Sequence, residues 1–301
     1  MPELPEVEVL VRHLRPLLVG KTIRSVRVRR AKVLLPTSVA ELGRTLRGAR
    51  FTEVARRGKF LVFTLRRRRT GAISLLGHLG MTGRMYLAPA GSVEPKHAAV
   101  VLELGREKFI FEDTRYFGRF TLATGALARL GPEPLGKDFS ARSLAQALGD
   151  SRQAIKVKLL DQSALAGVGN IYASEALFRA RLRPSVPAGQ LTRPEVRRLW
   201  RALRSVLRQA ILCGSTVPLN FSGSAKSRRP EREARLNLFY YGANQDTPLT
   251  YEERLRVYDR EGKPCVRCGR AVRRIVQAAR STFFCPQCQR GPPTPAARLK
   301  P

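Results

Sequence analysis

Met1-Pro2-Glu3-Leu4-Pro5-Glu6-Val7-Glu8 opens the chain, and the order of residue types in it sets both a first element and a first candidate chemistry. Pro5 suits the first turn of a helix, where no N–H is needed, and Glu6 and Glu8 fall where the helix macrodipole favours negative charge. Val7, Leu10, Val11, Leu14 and Leu18 then recur at helical spacing. Residues 5–18 are therefore predicted to form one amphipathic helix, with Pro16 in its last turn and Gly20 as the stop. Ahead of the helix, removal of Met1 would leave Pro2 with a secondary amine. An α-amino group titrates near ~8, far below a lysine, so a usable fraction of it is an uncharged nucleophile at neutral pH, and such amines attack aldehydes to form Schiff bases. Glu3 follows at once, in covalent reach for proton transfer. The plain alternative is an ordinary N-terminus followed by helix-start glutamates, and the rest of the chain decides between the two.

The chain has 301 residues, 43% of them hydrophobic, which is enough for a sizeable interior and about two domains. It carries 56 Lys+Arg against 23 Asp+Glu, a formal net charge of +33. Such a surface repels itself unless it meets a polyanion. Nucleic acid leads, because neutralised phosphates release counterions, and an anionic membrane is the competitor. No apolar run approaches the ~18 residues of a spanning helix. Acidic residues also sit where a signal peptide needs basic ones. Of five cysteines, Cys213 stands alone and four form two tight pairs, the usage of a cytosolic metal site rather than a disulfide frame.

From Thr22 to about Thr124 the pattern changes to short alternating runs at residues 23–28, 60–65, 72–76, 100–104 and 108–112, the signature of a β-sandwich or barrel. Arg66 to Arg69 is a basic run at a predicted hairpin, either a solvated turn or a phosphate contact. Gly131-Pro-Glu-Pro-Leu-Gly reads as a linker. Helices follow. Ser140 caps one running to Leu148, a second covers 152–160, and a third covers 171–180. Thr192 caps a fourth, to Leu212, with Pro194 in its first turn and Glu195 at the capping-box position. Gly167 and Gly169 precede the third helix, so its N-terminus can receive an anion. Residues 222–254 are polar and irregular, with a short strand expected at Leu236 to Tyr241. Cys265-x2-Cys268 and Cys285-x2-Cys288 then supply four thiolates for a tetrahedral zinc ion, on a ribbon carrying Arg273, Arg274 and Arg280. The tail from Gly291 is Pro-rich.

Taken together, Pro2-Glu-Leu-Pro-Glu-Val-Glu, Arg57-Gly-Lys, Gly77-His-Leu-Gly-Met-Thr-Gly, Asp113-Thr-Arg-Tyr-Phe-Gly, Leu159-Leu-Asp-Gln, Gly167-Val-Gly-Asn-Ile-Tyr-Ala-Ser-Glu and Arg280-Ser-Thr-Phe-Phe-Cys-Pro-Gln-Cys resemble the bacterial formamidopyrimidine-DNA glycosylases, within the wider family that includes endonuclease VIII. The likeness runs from Pro2 to about Gln289, and Leu4 favours the formamidopyrimidine branch. It implies an α+β fold: an N-terminal helix plus β-sandwich over 1–130, a linker over 131–139, and a helix-two-turn-helix domain over 140–221. A lesion-loop region over 222–256, a four-cysteine zinc ribbon over 257–290 and a disordered tail over 291–301 complete it.

The implied activity is a base-excision glycosylase and lyase that flips an oxidised purine out of duplex DNA. Pro2 matches the nucleophile, Glu3 the general acid/base, and Lys59 a lysine that contacts phosphate and protonates the leaving base; Glu6 lines the lesion pocket. Met81, Arg115 and Phe117 match the residues that fill the vacated stack, with core packing the alternative for Met81 and Phe117. Lys156, Asn170 and Arg280 match phosphate contacts, and His78 is a phosphate ligand or a turn histidine. Glu175 closes a helix-end network in either a structural or a functional role. The implied cofactor is one structural Zn2+. The implied partner is double-stranded DNA carrying oxidised bases or abasic sites, met by a monomer in the bacterial cytoplasm, at the nucleoid.

Two readings compete: an endonuclease VIII-like enzyme for oxidised pyrimidines, and a non-catalytic zinc-ribbon DNA-binding protein. The sequence also departs from the family pattern. Ala279 and Asp259 stand where glycine is usual, and Tyr116 stands where a basic residue is common. The loop from Ser222 to Glu253 is long and charged.

Overall fold

The predicted first helix forms as α1, Leu4–Leu18, in a computed structural model that describes residues 2–67, 70–214 and 254–290. All five residues of the predicted stripe are buried, together with Leu4 and Val9. Each such side chain contributes about 1.5–3 kcal/mol by leaving water. Among the described residues the chain separates into two units, one of residues 2–129 with 211–214 and one of residues 130–210 with 254–290.

In the first unit α1 is followed by β1 (Ser25–Val28), a 3-10 turn at Ala31–Leu34 and α2 (Val39–Leu46). Then come β2 (Arg50–Arg57), β3 (Phe60–Arg67), β4 (Thr70–His78), β5 (Arg84–Pro89), β6 (Ala98–Glu103), β7 (Glu107–Glu112), β8 (Arg119–Thr121) and the single turn α3 (Gly125–Ala128). The strands make two antiparallel four-stranded sheets, β1-β6-β7-β5 and β2-β3-β4-β8. Phe63 of β3 meets Phe109 of β7 edge-on at 5.8 Å, and Phe120 of β8 lies 5.9 Å from Phe111 of β7. The two sheets thus close over one aromatic core, the sandwich expected.

The predicted strands correspond to β1, β3, β4, β6 and β7. Three strands and α2 went unpredicted, and β2 shows why. A bulge between Phe51 and Glu53 puts Phe51 and Val54, three residues apart, on the same buried side, which erases the alternation of period 2. Strand β5 is a sheet edge that ends in Pro89, and α2 offers only Leu42 and Leu46 to the core. Of the basic run at the β3–β4 hairpin, Arg66 pairs with Ala72 and Arg67 with Thr70; Arg68 and Arg69 lie outside the described residues.

The second unit holds α4 (Ala141–Leu148), α5 (Ile155–Leu160), α6 (Asn170–Ala180), a 3-10 turn at Ala188–Gln190 and α7 (Arg193–Leu212), whose last two residues fall in the first unit. The hairpin of β9 (Arg273–Gln277) and β10 (Arg280–Phe284) completes it. Ser140 caps α4 by accepting the Ser143 N–H at 3.1 Å. Thr192 donates to Glu195 Oε2 through its N–H (2.9 Å) and its hydroxyl (2.8 Å), so the Glu195 half of the predicted capping box forms. Helix α5 starts later than expected because Ala154 is held in a bridge to Pro187. The segment read as a linker is fastened down in this unit. Gly131 N–H donates to Gln162 O (2.9 Å), Trp200 Nε1 to Phe139 O (2.9 Å) and Arg204 Nη1 to Gly136 O (3.0 Å). Nearly all of the expected loop over 222–254, with its strand at Leu236 to Tyr241, and the tail from Gly291 lie outside the described residues. No helix among the described residues is long and apolar enough to cross a membrane.

Candidate functional site

Pro2 and Glu3 lie buried at the start of α1. Glu6, also buried, turns back to accept the Glu3 N–H at 2.8 Å through Oε2. Glu8, one turn on, accepts from Arg56 Nε at 2.9 Å and from Arg12 Nε at 2.8 Å. Burial alone would raise the Glu8 carboxyl, but the bonds and charges of Arg12 and Arg56 outweigh it and hold it below the usual range. Arg56 Nη1 also donates to Gly58 O at 3.1 Å. The helix that carries Pro2 is therefore tied to the strand that runs into Arg57-Gly58-Lys59. Gly58 turns there with φ +57°, a value suited to glycine. Lys59 follows and is buried.

Lys59 is close enough to His78 to affect its titration. Burial, then the charges of Lys59 and Arg119, push the His78 imidazole down to about 4. Its Nδ1 accepts the Gly80 N–H at 3.1 Å, and the ring sits 4.9 Å from Phe60. The ring is neutral, with its proton on Nε2, so what it can offer a phosphate is a hydrogen bond and not a charge.

Met81 follows Gly80, and Arg115 and Phe117 occupy the turn between β7 and β8. All three side chains are exposed, Met81 by 47% and Phe117 by 54%, which excludes the core-packing reading for both apolar ones. Arg115 lies over the Phe117 ring at 5.6 Å. The two turns touch: a Cβ on Gly80 would fall 2.6 Å from Gly118 N. Asp113, fully buried, fastens them, accepting Thr82 Oγ1–H at 2.6 Å, Arg115 N–H at 3.2 Å and Gly118 N–H at 2.7 Å. Asp113 is the residue that sequence reasoning left without a role. An Asp two residues before a backbone donor is a turn signal, but the Thr82 contact depends on a second turn that the sequence does not place nearby.

In the second unit Asn170 begins α6. Its Nδ2 donates to Ser281 O at 3.0 Å, and its Oδ1 accepts from Lys156 Nζ at 2.7 Å. Lys156 is only 1% exposed and also donates to Thr282 Oγ1 at 3.2 Å, so its ammonium lies beneath Asn170 and β10. Gln162 braces the preceding turn by bonding Leu160 O, Val168 O and Gly167 N–H, and Gly167 has φ +84°. Arg280 is exposed at the head of β10. Glu175, buried in α6, accepts the N–H groups of Arg256, Val257 and Tyr258 at 2.9–3.1 Å. That is the structural form of the expected network: it anchors the chain entering the ribbon. Burial raises the Glu175 carboxyl even against those bonds.

The Sγ atoms of Cys265, Cys268, Cys285 and Cys288 lie within 4.8 Å of one another, with Cys265–Cys288 at 3.9 Å and Cys268–Cys285 at 3.5 Å. A tetrahedral zinc with Zn–S bonds of about 2.3 Å requires S···S separations of about 3.8 Å, so the four thiolates fit the ion. Arg267 N–H and Cys288 N–H point at Cys265 and Cys285 sulfurs at 3.4 Å and would stabilise them as thiolates. Cys213 is buried and is not one of the four.

Three family models match the chain: formamidopyrimidine-DNA glycosylase N-terminal domain at residues 1–120, formamidopyrimidine-DNA glycosylase H2TH domain at 130–220, and the zinc finger found in FPG and IleRS at 262–291. The formamidopyrimidine-DNA glycosylase of Thermus thermophilus is 46% identical over 297 residues, covering 96% of this chain and 98% of the relative. That of Desulfitobacterium hafniense is 38% identical, covering 96% and 100%. Among solved structures, Lactococcus lactis Fpg (MutM) with DNA containing N7-benzyl-Fapy-dG superposes with a TM-score of 0.81 at 29% identity, covering 96% of this chain and 100% of that one. MutM with DNA containing carbocyclic 8-oxo-G gives 0.80 at 30% identity, with the same coverage.

Proposed function

The chain belongs to the formamidopyrimidine-DNA glycosylase family, and from that premise we propose that Pro2, Glu3 and Lys59 carry its chemistry. It is a bifunctional glycosylase and abasic-site lyase of base excision repair, acting on oxidised purines in double-stranded DNA, and its four-cysteine ribbon holds one structural zinc ion. The zinc supplies folding energy and no step of the reaction.

With Met1 removed, the Pro2 nitrogen attacks C1′ of the damaged nucleotide. The C1′–N bond to the base breaks, and the base departs with that electron pair and a proton from Lys59. The sugar ring opens as the nitrogen forms an iminium with C1′, and Glu3 moves the proton that ring opening requires. Loss of a proton from C2′ then expels the 3′ phosphate, and a second elimination expels the 5′ phosphate. Glu6 lines the pocket that receives the base. Met81, Arg115 and Phe117 fill the vacated stack, exposed as they are on two turns pinned by Asp113. His78 through Nε2–H, Asn170 and Arg280 bind backbone phosphates; Lys156, expected as a further phosphate contact, is buried and instead orients the Asn170 amide from below. The chemistry is assigned to residues 1–130 and the grip on DNA chiefly to 140–221 and 257–290. The enzyme works as a monomer on nucleoid DNA in the cytoplasm.

The observation that carries this reading is the bolting of the Pro2-Glu3 helix, through Glu8 and Arg56, to the strand leading into Lys59. Borohydride reduction during reaction with an 8-oxoguanine duplex should trap the protein covalently. Pro2→Gly should weaken trapping and strand cutting while leaving binding nearly intact. If a variant with a blocked N-terminus cuts and is trapped as well as the parent, the assignment of Pro2 is wrong.

A further inference from the structure

Tyr116 sits between Arg115 and Phe117 with φ +54°, a left-handed conformation that L side chains rarely adopt. Its neighbours point into solvent, whereas Tyr116 is half-buried. Its hydroxyl lies 3.3 Å from His97 Nδ1, and the Arg30 guanidinium covers its ring at 5.1 Å. Both partners are themselves fixed: the His97 carbonyl accepts the Asp113 N–H at 3.0 Å, and the Arg30 N–H donates to Ala99 O at 3.3 Å. One residue therefore reverses the chain direction and reaches back to the β1–β6 edge. A glycine would make the same reversal without strain, so the side chain must contribute something that glycine cannot.

We infer that Tyr116 is the positioning residue of the void-filling turn, anchored to His97 and Arg30 so that Arg115 and Phe117 project together as one stacked pair toward the base left opposite the lesion. This rests on the void-filling role proposed above. Tyr116 touches neither DNA nor lesion; it acts by limiting where Arg115 can go, and so sets how strongly the enzyme distinguishes the opposite base.

Tyr116→Gly suits the backbone and removes the anchor. Tyr116→Phe keeps the ring under Arg30 and removes only the bond to His97. Single-turnover excision of 8-oxoguanine opposite cytosine and opposite adenine, with melting temperature and affinity for undamaged duplex measured alongside, provides the test. Tyr116→Gly should melt no lower than the parent and bind undamaged duplex equally, yet lose the cytosine-over-adenine ratio several-fold, with Tyr116→Phe falling between. Parental ratios in both variants overturn the inference. Arg115→Ala separates it from the underlying reading. If Arg115→Ala shifts the ratio and the Tyr116 variants do not, only the positioning role fails; if Arg115→Ala leaves it unmoved, the void-filling role fails first.

Discussion

A half-buried histidine beside Lys59 and Arg119, with Nδ1 already accepting the Gly80 N–H, resists a second proton. Free histidine takes one near 6.5, and the folded His78 does so only near about 4. Between those values the unfolded chain binds the proton and the folded chain does not, so stability falls as pH drops from 6.5 toward 4 and is fully present above 6.5. Urea unfolding at several pH values across that window should show the loss, and His78→Gln should flatten part of it. His13, also lowered to about 4 by burial, contributes a slope of the same sign. If His78→Gln leaves the pH slope unchanged, His78 titrates normally and a charged contact to phosphate returns to consideration. Part of this scale was legible in advance: the paired cysteines announce themselves by spacing and the helix start at Pro2-Glu3 by residue type, whereas Lys59 was marked only by the resemblance that Arg57-Gly-Lys carries. The depth of Lys156 was not legible. A lysine's burial depends on which neighbours close over it, here Asn170 and Thr282, 14 and 126 residues away.

Among the elements, the β9–β10 hairpin holds a strain that substitution can release. Gln277 pairs with Arg280, leaving Ala278 and Ala279 as a two-residue turn with φ +46° and +56°. Such a turn favours Asn-Gly, and each alanine there costs roughly 1–2 kcal/mol. Ala279 thus holds this turn at an energetic cost, and Asp259 adopts a similar φ of +57°. Ala278→Asn with Ala279→Gly should raise the unfolding midpoint of the zinc-loaded protein and leave its affinity for undamaged duplex unchanged. An unaltered midpoint would show the strain to be absent. The ribbon is also an element that depends on its metal. Cys265 and Cys285 lie in one buried cluster with Phe178 of α6, Val257, Val272 and Phe283, and a structural zinc contributes directly to folding. Cys268→Ser or chelation should therefore unfold the ribbon and sharply reduce DNA affinity while the β-sandwich unit stays folded, as limited proteolysis would reveal. Full affinity without zinc would contradict that dependence. Helix starts with their own signals were readable, Ser140 as a side-chain cap and Thr192 through Glu195 three residues on. Strand β2 was not, because its bulge is a property of pairing with β3.

On the scale of the whole molecule, a formal net charge of +33 repels itself and suits a surface that meets a polyanion. Charge alone does not say which cations grip phosphate and which recognise damage, but exposure and partners separate two of them. Arg280 stands exposed at the head of β10, and Arg115 is stacked on Phe117. A phosphate contact releases counterions, so its loss flattens the dependence of binding on salt by roughly one unit of slope. A residue that fills a vacated stack offsets the cost of extruding a base, a few kcal/mol, and carries less of the salt term. Arg280→Ala should weaken binding to damaged and undamaged duplex alike and flatten the salt slope. Arg115→Ala should largely spare undamaged binding, yet lose much of the preference for lesion DNA. Affinities for both duplexes across a salt series distinguish the two. If both variants lose affinity in parallel, with equal slopes and unchanged lesion preference, then Arg115 is one more phosphate contact, and the exposed Met81 and Phe117 must fill the gap without it.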